Sequence, residues 1–153
     1  MPNTPALVGL GQTGLFARSA VTPADRLWVQ QVLGSTGACM WLAQESQLDA
    51  VTGLAGSGPA YLFLVAEALI DAGVLAGLSR ANSEALVTQL FVGSAALLAE
   101  RGEPARRRAE VTSPGGTTAA GLRALEEHAV RAAFLEAVMA AAHRSSELGK
   151  RSL

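Results

Sequence analysis

The segment from residue 60 to residue 72 constrains the fold most strongly, because as a helix it is apolar on nearly every side. Only Glu67 and Asp71, four positions apart, make a narrow polar stripe along it. A helix that is hydrophobic all round must also be covered all round. A chain of 153 residues has few other elements that could cover it. The segment therefore predicts a subunit interface.

From Gln47 onward the remaining sequence also contains only helical patterns. Half of the chain is hydrophobic (50%) but only 5% is aromatic, which indicates packed helices with small residues at their contacts. Asn82 or Ser83 can cap the next helix. A last helix is expected from about residue 130 to residue 148, with Gly149 as its C-terminal stop. These patterns predict a mainly α domain that forms dimers.

The first third of the chain alternates short extended pieces with turns. Candidate strands lie at residues 6–8, 15–17 and 39–42. Between the last two, Thr22 can cap a helix that starts at Pro23. A strand, a helix and a strand in this order resemble one βα unit of a larger parallel sheet. Such a unit alone could not bury both faces of the sheet.

Residues 9–14 match G-x-G-x-x-G, the glycine pattern of dinucleotide-binding loops. In that motif a strand precedes the glycines and a crossover helix follows them, with an acidic residue about 20 positions further on. Here Pro5 leaves only three residues for a strand, and Val21-Thr22-Pro23 interrupts any crossover helix. We therefore interpret the segment as a glycine-rich turn between two strands.

Charge and hydropathy argue against several classes of function. The net charge is −1, and the arginine run 106–108 is typical of a solvated face, so we expect no nucleic acid partner. A membrane span needs about 20 apolar residues, whereas the longest apolar run, residues 61–66, ends at Glu67. The chain opens without a secretory signal, and its single cysteine, Cys39, is expected to be a buried thiol in a reducing compartment. We expect a cytoplasmic protein with no membrane partner and no metal site.

The most informative stretch is residues 111–118, Val-Thr-Ser-Pro-Gly-Gly-Thr-Thr, immediately before a predicted helix. Gly115 and Gly116 let the backbone turn with its amides inward, and a helix N-terminus adds about half a positive charge. N–H groups arranged in this way suit a carboxylate or a phosphate. Thr117 and Thr118 add hydroxyls that can cap the helix or hold a ligand. An ordinary capped turn explains these residues equally well.

Several segments, taken in order, resemble pyrroline-5-carboxylate reductases. Their order and spacing extend over almost the whole chain, which makes the resemblance specific. Several positions depart from the pattern: Leu10 stands where the family generally has Glu, Ala55 where it generally has Ser, and the stretch 103–109, upstream of the Ser-Pro-Gly-Gly-Thr-Thr loop, also differs. The matching segments are Met-Pro-Asn-Thr-Pro-Ala (1–6), Asp-Ala-Val-Thr (49–52), Gly-Ser-Gly-Pro-Ala-Tyr (56–61), residues 67–69, 71–74, 77–78 and 111–118, Arg144-Ser145 and Glu147-Leu148.

The resemblance implies a fold and an assembly. The family has an N-terminal Rossmann domain that binds NADPH or NADH, and a helical domain, similar to the C-terminal domain of 6-phosphogluconate dehydrogenase, that forms an interlocked homodimer. Some members assemble further into decamers. Residues 1–46 would be the last βα portion of the Rossmann domain, and residues 47–153 the dimerisation and substrate-binding domain. The family's phosphate-binding glycine motif would lie upstream of residue 1.

The resemblance also implies roles for individual residues. The Met-Pro-Asn-Thr-Pro segment of the family lies near the nicotinamide, so cofactor contacts are expected from Asn3 and Pro5, and also from Thr52. The Ser-Pro-Gly-Gly-Thr-Thr loop holds the substrate carboxylate and would serve a partner subunit's cofactor. Thr118 would place its hydroxyl near the ring nitrogen as the catalytic group. The expected substrate-binding residues are Ser113, Gly115, Gly116, Thr117 and Thr118.

The implied activity is hydride transfer from NAD(P)H to the C=N bond of 1-pyrroline-5-carboxylate, the last step of proline biosynthesis. The sequence leaves the choice between NADH and NADPH open. Two alternatives also stay open: a non-catalytic helical dimer that binds a proline-like carboxylate, and a reductase of another cyclic imino acid.

Overall fold

The computed structural model describes residues 1–151 and confirms a mainly α fold that follows a short βα piece. Within those residues, the only sheet has two strands. The elements in chain order are a 3-10 helix (Thr4–Val8), β1 (Gly11–Leu15), α1 (Pro23–Gly34), β2 (Gly37–Trp41), α2 (Gln47–Val51), a π-helical segment (Thr52–Gly56), α3 (Gly58–Leu75), α4 (Arg80–Arg101), α5 (Pro104–Glu110), α6 (Thr117–Glu127) and α7 (Val130–Arg151).

The chain divides into two compact units. The first comprises Met1–Leu62 together with the chain from Ala133 onward, and the second comprises Phe63–Ala132. The first unit holds the sheet, in which β1 and β2 are parallel and Gly11 pairs with Gly37 at one end and Leu15 with Trp41 at the other.

Three predictions in the first unit are wrong, namely the strands at residues 6–8 and 15–17 and the turn at residues 9–14. Residues 6–8 belong to the 3-10 helix, in which Pro5 is the second residue and which a left-handed Gly9 ends. Only Leu15 of residues 15–17 lies in a strand, because β1 ends there. The glycine-rich segment expected to be a turn supplies most of β1 instead. The N–H of Gly14 donates to the carbonyl of Met1 at 2.9 Å, and the Met1 amino group donates back at 2.8 Å. Hydrogen bonds on both sides therefore hold this segment extended, where local glycine content favoured a turn.

The start of α1 confirms the predicted cap. The Thr22 hydroxyl oxygen accepts a hydrogen bond from the N–H of Asp25 at 3.2 Å. The Asp25 carboxylate accepts from the Thr22 hydroxyl at 2.6 Å and from the Thr22 N–H at 3.1 Å. These reciprocal bonds form a capping box that satisfies N–H groups left free at a helix start.

Replacing Thr22 with alanine is expected to lower the free energy of unfolding by about 1 kcal/mol, because the helix loses its cap. The bonds from the Thr22 side chain and backbone hold the pKa of Asp25 below its ordinary value of 3.8. The ionised Asp25 carboxylate therefore contributes to stability at a pH above 3.8, its ordinary pKa. This contribution is lost as the pH falls through the lower pKa that Asp25 has in the folded chain. Urea unfolding across the acid range should show this step in the parent chain and a smaller one in Thr22→Ala. An equal step in both chains would contradict the prediction.

In the second unit, α4 is capped by a residue that the sequence patterns did not indicate. The Ser79 hydroxyl oxygen accepts from the N–H of Asn82 at 3.2 Å, so neither Asn82 nor Ser83 is the cap. Ser83 is instead fully buried at 1% exposure, and its hydroxyl has no hydrogen-bond partner within the described part of the chain. Because the backbone of Ser79 is extended, α4 begins directly after it, one turn earlier than expected.

Gly149 does not end the last helix, because α7 continues to Arg151. A helix tolerates an internal glycine at a cost of about 1 kcal/mol relative to alanine. The stop at Gly149 was therefore a wrong prediction drawn from a residue type that is common at helix ends but not restricted to them. Cys39 is only half-buried, which also differs from the expectation.

The described helices leave most of their large apolar side chains exposed. Among residues 1–151, Val87 is the only buried hydrophobic residue, whereas Phe63 is 66% exposed and Leu64 is 65% exposed. By length and composition alone, the 29-residue stretch Gln47–Leu75 could cross a membrane. A helix covered by a second subunit has the same length and composition. Other exposed apolar residues on the helices are Leu62, Leu86, Leu90, Val92, Leu97, Leu98, Leu135 and Met139.

Candidate functional site

A π-helical segment, Thr52–Gly56, joins α2 to α3 in the first unit. Its defining hydrogen bond runs from the N–H of Ser57 to the carbonyl of Thr52 at 2.8 Å. Short π segments inside helices are frequent at functional sites because they redirect backbone carbonyls. The sequence pattern predicts only ordinary helix here. The sole signal was the density of glycines at 53, 56 and 58.

Asn3 connects this π-helical segment to the sheet. Its side-chain Nδ2 donates to the carbonyl of Ala55 at 3.1 Å. Its Oδ1 accepts from the backbone N–H of Gln12, in β1, at 2.8 Å. Both polar atoms of the half-buried Asn3 amide are therefore engaged by the protein itself.

Tyr61, in the first turns of α3, holds the other side of the π-helical segment. Its hydroxyl lies 3.3 Å from the carbonyl of Gly53 and 3.3 Å from the carbonyl of Ala137, in α7. Gly53 is buried against the same helix, where a Cβ atom would lie 2.6 Å from the carbonyl oxygen of Val138. In the sequence Tyr61 stands out only as part of a motif, and no local pattern indicates this role.

A cavity of about 410 Å³ opens beside these residues. The structure brings two of the three expected cofactor-binding residues, Asn3 and Pro5, together in its wall. Thr52 is not among the lining residues, and its hydroxyl donates to the carbonyl of Leu48 at 2.8 Å. The remaining lining residues are Leu54, Ala55, Gly58, Pro59, Tyr61, Leu62, Phe134 and Val138. The lining is mainly apolar with few polar groups, as is usual for small-molecule sites.

The predicted substrate residues lie in the second unit, in the loop between α5 and α6 and in the first turn of α6. The N–H of Gly116 donates to the carbonyl of Ser113 at 3.0 Å, which closes a four-residue turn. Pro114 and Gly115 are its central residues, and Gly115 has a φ of +68°. Proline followed by a residue with positive φ is the pattern of a type II turn. The two glycines expected to shape the loop therefore do so, although the Gly116 N–H is used within the turn.

The first turn of α6 has no side-chain cap. The helix begins at Thr117 with Gly116 as its N-cap, so of the two roles left open for the threonine hydroxyls, capping the helix is not the one adopted. Within residues 1–151, the backbone N–H groups of Thr117, Thr118 and Ala119 have no hydrogen-bond partner. The side chains of Ser113, Thr117 and Thr118 are exposed. This helix start offers amide and hydroxyl donors together with the positive end of the helix dipole.

Neither His128 nor His143 lines the cavity or lies in the loop between α5 and α6. His128 is exposed at the end of α6, and its Nδ1 lies 2.8 Å from the carbonyl of Ala124. Over the part of the chain that the structure describes, no three His, Cys, Asp or Glu side chains are grouped closely enough to hold a metal ion.

Replacing Gly115 with alanine is expected to lower the free energy of unfolding by about 1 kcal/mol, because a Cβ atom is disfavoured at its positive φ. Gly121, inside α6, is the matched control, since an added Cβ would meet open space there. Gly121→Ala should raise stability by about 0.5–1 kcal/mol. Urea unfolding at one fixed protein concentration measures both effects. Equal changes in the two variants would show that the turn does not require Gly115.

Comparison with known proteins gives one consistent result. The sequence profile described as pyrroline-5-carboxylate reductase dimerisation matches residues 45–148. Pyrroline-5-carboxylate reductases from Synechocystis sp. and Corynebacterium melassecola are each 48% identical, over 152 and 151 residues. These matches cover 99% and 98% of this chain but 57% and 56% of the relatives. The chain therefore spans little more than half the length of the curated relatives it matches.

Solved structures agree with the sequence relatives. A pyrroline-5-carboxylate reductase from Coxiella burnetii is 38% identical, with a TM-score of 0.93 over 97% of this chain and 55% of that one. A Plasmodium falciparum pyrroline carboxylate reductase with NADP bound is also 38% identical, with a TM-score of 0.87 over 97% of this chain and 61% of that one. Because the family profile matches more than half of the residues, the chain belongs to the pyrroline-5-carboxylate reductase dimerisation family.

Proposed function

We propose that this chain supplies the substrate-binding and dimerisation part of a pyrroline-5-carboxylate reductase, which reduces the C=N bond of 1-pyrroline-5-carboxylate to give proline. One observation carries the proposal: the uncapped first turn of α6, with free N–H groups at Thr117 and Thr118, follows directly after a tight Pro-Gly turn. A small carboxylate is the ligand that such a helix start recognises.

The substrate carboxylate is proposed to bind at this loop. The free amides of Thr117 and Thr118 donate to it, and the Ser113 and Thr117 hydroxyls add further donors. Gly115 and Gly116 shape the turn that leaves these donors accessible. The positive end of the α6 dipole favours the anion by about 0.3–1 kcal/mol.

Thr118 is proposed as the catalytic residue. Its exposed hydroxyl, one residue into α6, would lie near the ring nitrogen of a substrate whose carboxylate sits on the helix start. A hydroxyl in that position orients and polarises the C=N bond toward the incoming hydride. No strong acid or base is needed if the ring nitrogen is already protonated, which agrees with the placement of both histidines outside the loop.

NADPH or NADH is proposed to supply the hydride when bound. The cavity beside Asn3 and Pro5 has a volume and an apolar lining that fit a flat ring such as nicotinamide. Thr52 would contribute from the α2 side through the acceptor capacity of its hydroxyl. The G-x-G-x-x-G segment does not fit the phosphates, because it lies in β1 and not between a strand and a helix N-terminus. We propose that residues outside 1–151 hold them.

The exposed apolar faces of α3, α4 and α7 support a homodimer, and a decamer is proposed as the further assembly. The net charge of −1 supports the proposal that nucleic acid is not a partner. We propose that the protein is cytoplasmic, and that Gln47–Leu75 is covered by the partner subunit and not by a membrane. Analytical ultracentrifugation should show a dimer or larger species; a monomer would count against this assembly.

The proposed activity is tested by NADPH-dependent reduction of 1-pyrroline-5-carboxylate. The purified chain is assayed alone and with the part of the Synechocystis relative that it does not match, expressed separately. Activity only in the mixture supports a substrate site in this chain and a cofactor phosphate site elsewhere. Tight NADPH binding by the chain alone would contradict that division. A folded dimer that binds proline but never reduces the imine would favour the non-catalytic alternative, and reduction of a different cyclic imine would reassign the substrate.

A further inference from the structure

We propose that Tyr61 is a positioning residue, which holds the segment containing Asn3 and Pro5 in place through the π-helical segment. The inference rests on the proposed function, because that segment is the proposed nicotinamide contact. Tyr61 itself lies about one turn into α3, and its distance in sequence from Asn3 gives no hint of a connection.

The π-helical segment is the intermediate in this connection. Its wider turns direct carbonyls away from the α-helical hydrogen-bonding pattern, so these carbonyls need donors from elsewhere. Two receive side-chain donors: Gly53 from Tyr61 at 3.3 Å, and Ala55 from Asn3 at 3.1 Å. The two carbonyls are two residues apart on the same five-residue segment. A shift at one of them is therefore carried to the other.

The Tyr61 hydroxyl bridges the π-helical segment to α7. One phenolic hydrogen faces two carbonyls, those of Gly53 and Ala137, at equal distances of 3.3 Å. Because the two carbonyls share this hydrogen, the bonds favour a geometry in which both carbonyl oxygens stay within hydrogen-bonding distance of the Tyr61 hydroxyl. Removing the hydroxyl leaves the carbonyls of the buried Gly53 and the half-buried Ala137 without this donor and removes one hydrogen-bonded link between the segment and α7.

Asn3 connects the π-helical segment to the sheet and to the cavity wall. Its Nδ2 is held by Ala55 and its Oδ1 holds the N–H of Gln12 at 2.8 Å. Because both ends of the amide are engaged, Asn3 serves as a link between the π-helical segment and β1. Pro5, two residues further on, lies in the first turn of the 3-10 helix and lines the same cavity as Asn3 and Tyr61. The position of Pro5 thus depends on bonds that begin at Tyr61.

The test uses Tyr61→Phe in the full 153-residue chain, with Thr22→Ala as the control that lowers stability in the same unit without touching this network. Amide hydrogen exchange is measured at Gln12, whose N–H is bonded to Asn3, and at Leu42, whose N–H is bonded to Leu15. Tyr61→Phe should speed exchange at Gln12 about tenfold relative to Leu42. Thr22→Ala should leave that ratio unchanged, because any general loosening of the sheet affects both amides.

The complemented reductase assay supplies the second readout. Tyr61→Phe should raise the KM for NADPH about tenfold while kcat and the KM for the imine change less than about twofold. Adding Tyr61→Phe to Asn3→Ala should raise the KM for NADPH no further than Asn3→Ala alone, because the effect of Tyr61 reaches the cavity through the bond between Ala55 and Asn3.

The outcomes separate this inference from the proposed function. An unchanged Gln12 to Leu42 ratio in Tyr61→Phe overturns the inference whatever the activity. A raised ratio with an unchanged KM for NADPH also overturns it, because the segment then moves without consequence for the cofactor. If the parent mixture shows no reductase activity, the proposed function fails, and the exchange ratio alone decides whether Tyr61 positions the Asn3–Pro5 segment.

Discussion

Replacing Gly37 with alanine is expected to prevent stable pairing of β1 and β2 and to lower the free energy of unfolding by about 2–6 kcal/mol. Gly37 is the first residue of β2 and pairs with Gly11 across the sheet. Its φ of +141° lies in a region that residues with a side chain rarely adopt. An added Cβ atom would also overlap the backbone nitrogen and oxygen of Gly11 and lie 2.6 Å from its carbonyl carbon.

The expected loss of stability is large because no small movement of the structure can relieve this overlap. The atoms that the new methyl group meets belong to backbone, so no side chain can rotate away from it. The N–H of Gly11 donates to the carbonyl of Thr36 at 2.9 Å, which holds the two strands at this distance. Backbone strain of about 1–3 kcal/mol and overpacking of about 1–3 kcal/mol therefore add.

Gly34→Ala is the control for this prediction. Gly34 is the last residue of α1, three positions earlier, and a Cβ atom there would meet open space. That variant should be neutral or stabilising by up to about 1 kcal/mol. Circular dichroism and urea unfolding at one protein concentration compare the two chains. A Gly37→Ala chain with the stability of the parent would show that β2 can start with a different backbone conformation.

The longer helices were predictable because each has a local signal. Apolar spacing placed α3, α4 and α7, and the sequence Thr22-Pro23 located the start of α1 together with its cap. Boundaries failed where two local signals competed. Ser79 and Ser83 are both good cap residues, and the choice of Ser79 depends on its own extended backbone.

The bonds that shape the candidate sites could not be predicted in the same way. Asn3 and Ala55 are 52 positions apart, and Tyr61 and Ala137 are 76 positions apart. Such pairs have no periodic pattern, and a glycine-rich stretch does not distinguish a π-helical segment from a turn. The turn within residues 111–118 was easier to predict, because Pro114-Gly115 specifies a tight turn locally and a helix follows directly.

Replacing Thr118 with valine is expected to lower kcat for imine reduction about 100-fold, the lower end of the range for a group that assists at the reacting atom. Valine has nearly the shape of threonine but no hydroxyl. The backbone N–H groups of Thr117 and Thr118 remain in place at the start of α6, so carboxylate binding is kept. The KM for the imine should therefore change less than about threefold, which separates the reacting role of Thr118 from substrate binding.

Two further variants make this prediction decisive. Thr118→Ser restores a hydroxyl at the same position and should recover kcat to within about fivefold of the parent, because the donor returns without the methyl group. Thr112→Val removes the neighbouring hydroxyl that donates to the carbonyl of Arg108 at 2.6 Å, a bond inside the protein. That variant should lose stability and keep kcat, measured in the complemented assay. If Thr118→Val and Thr112→Val lower kcat equally, the loss reflects a disturbed loop, and the hydroxyl of Thr118 takes no part in the chemistry.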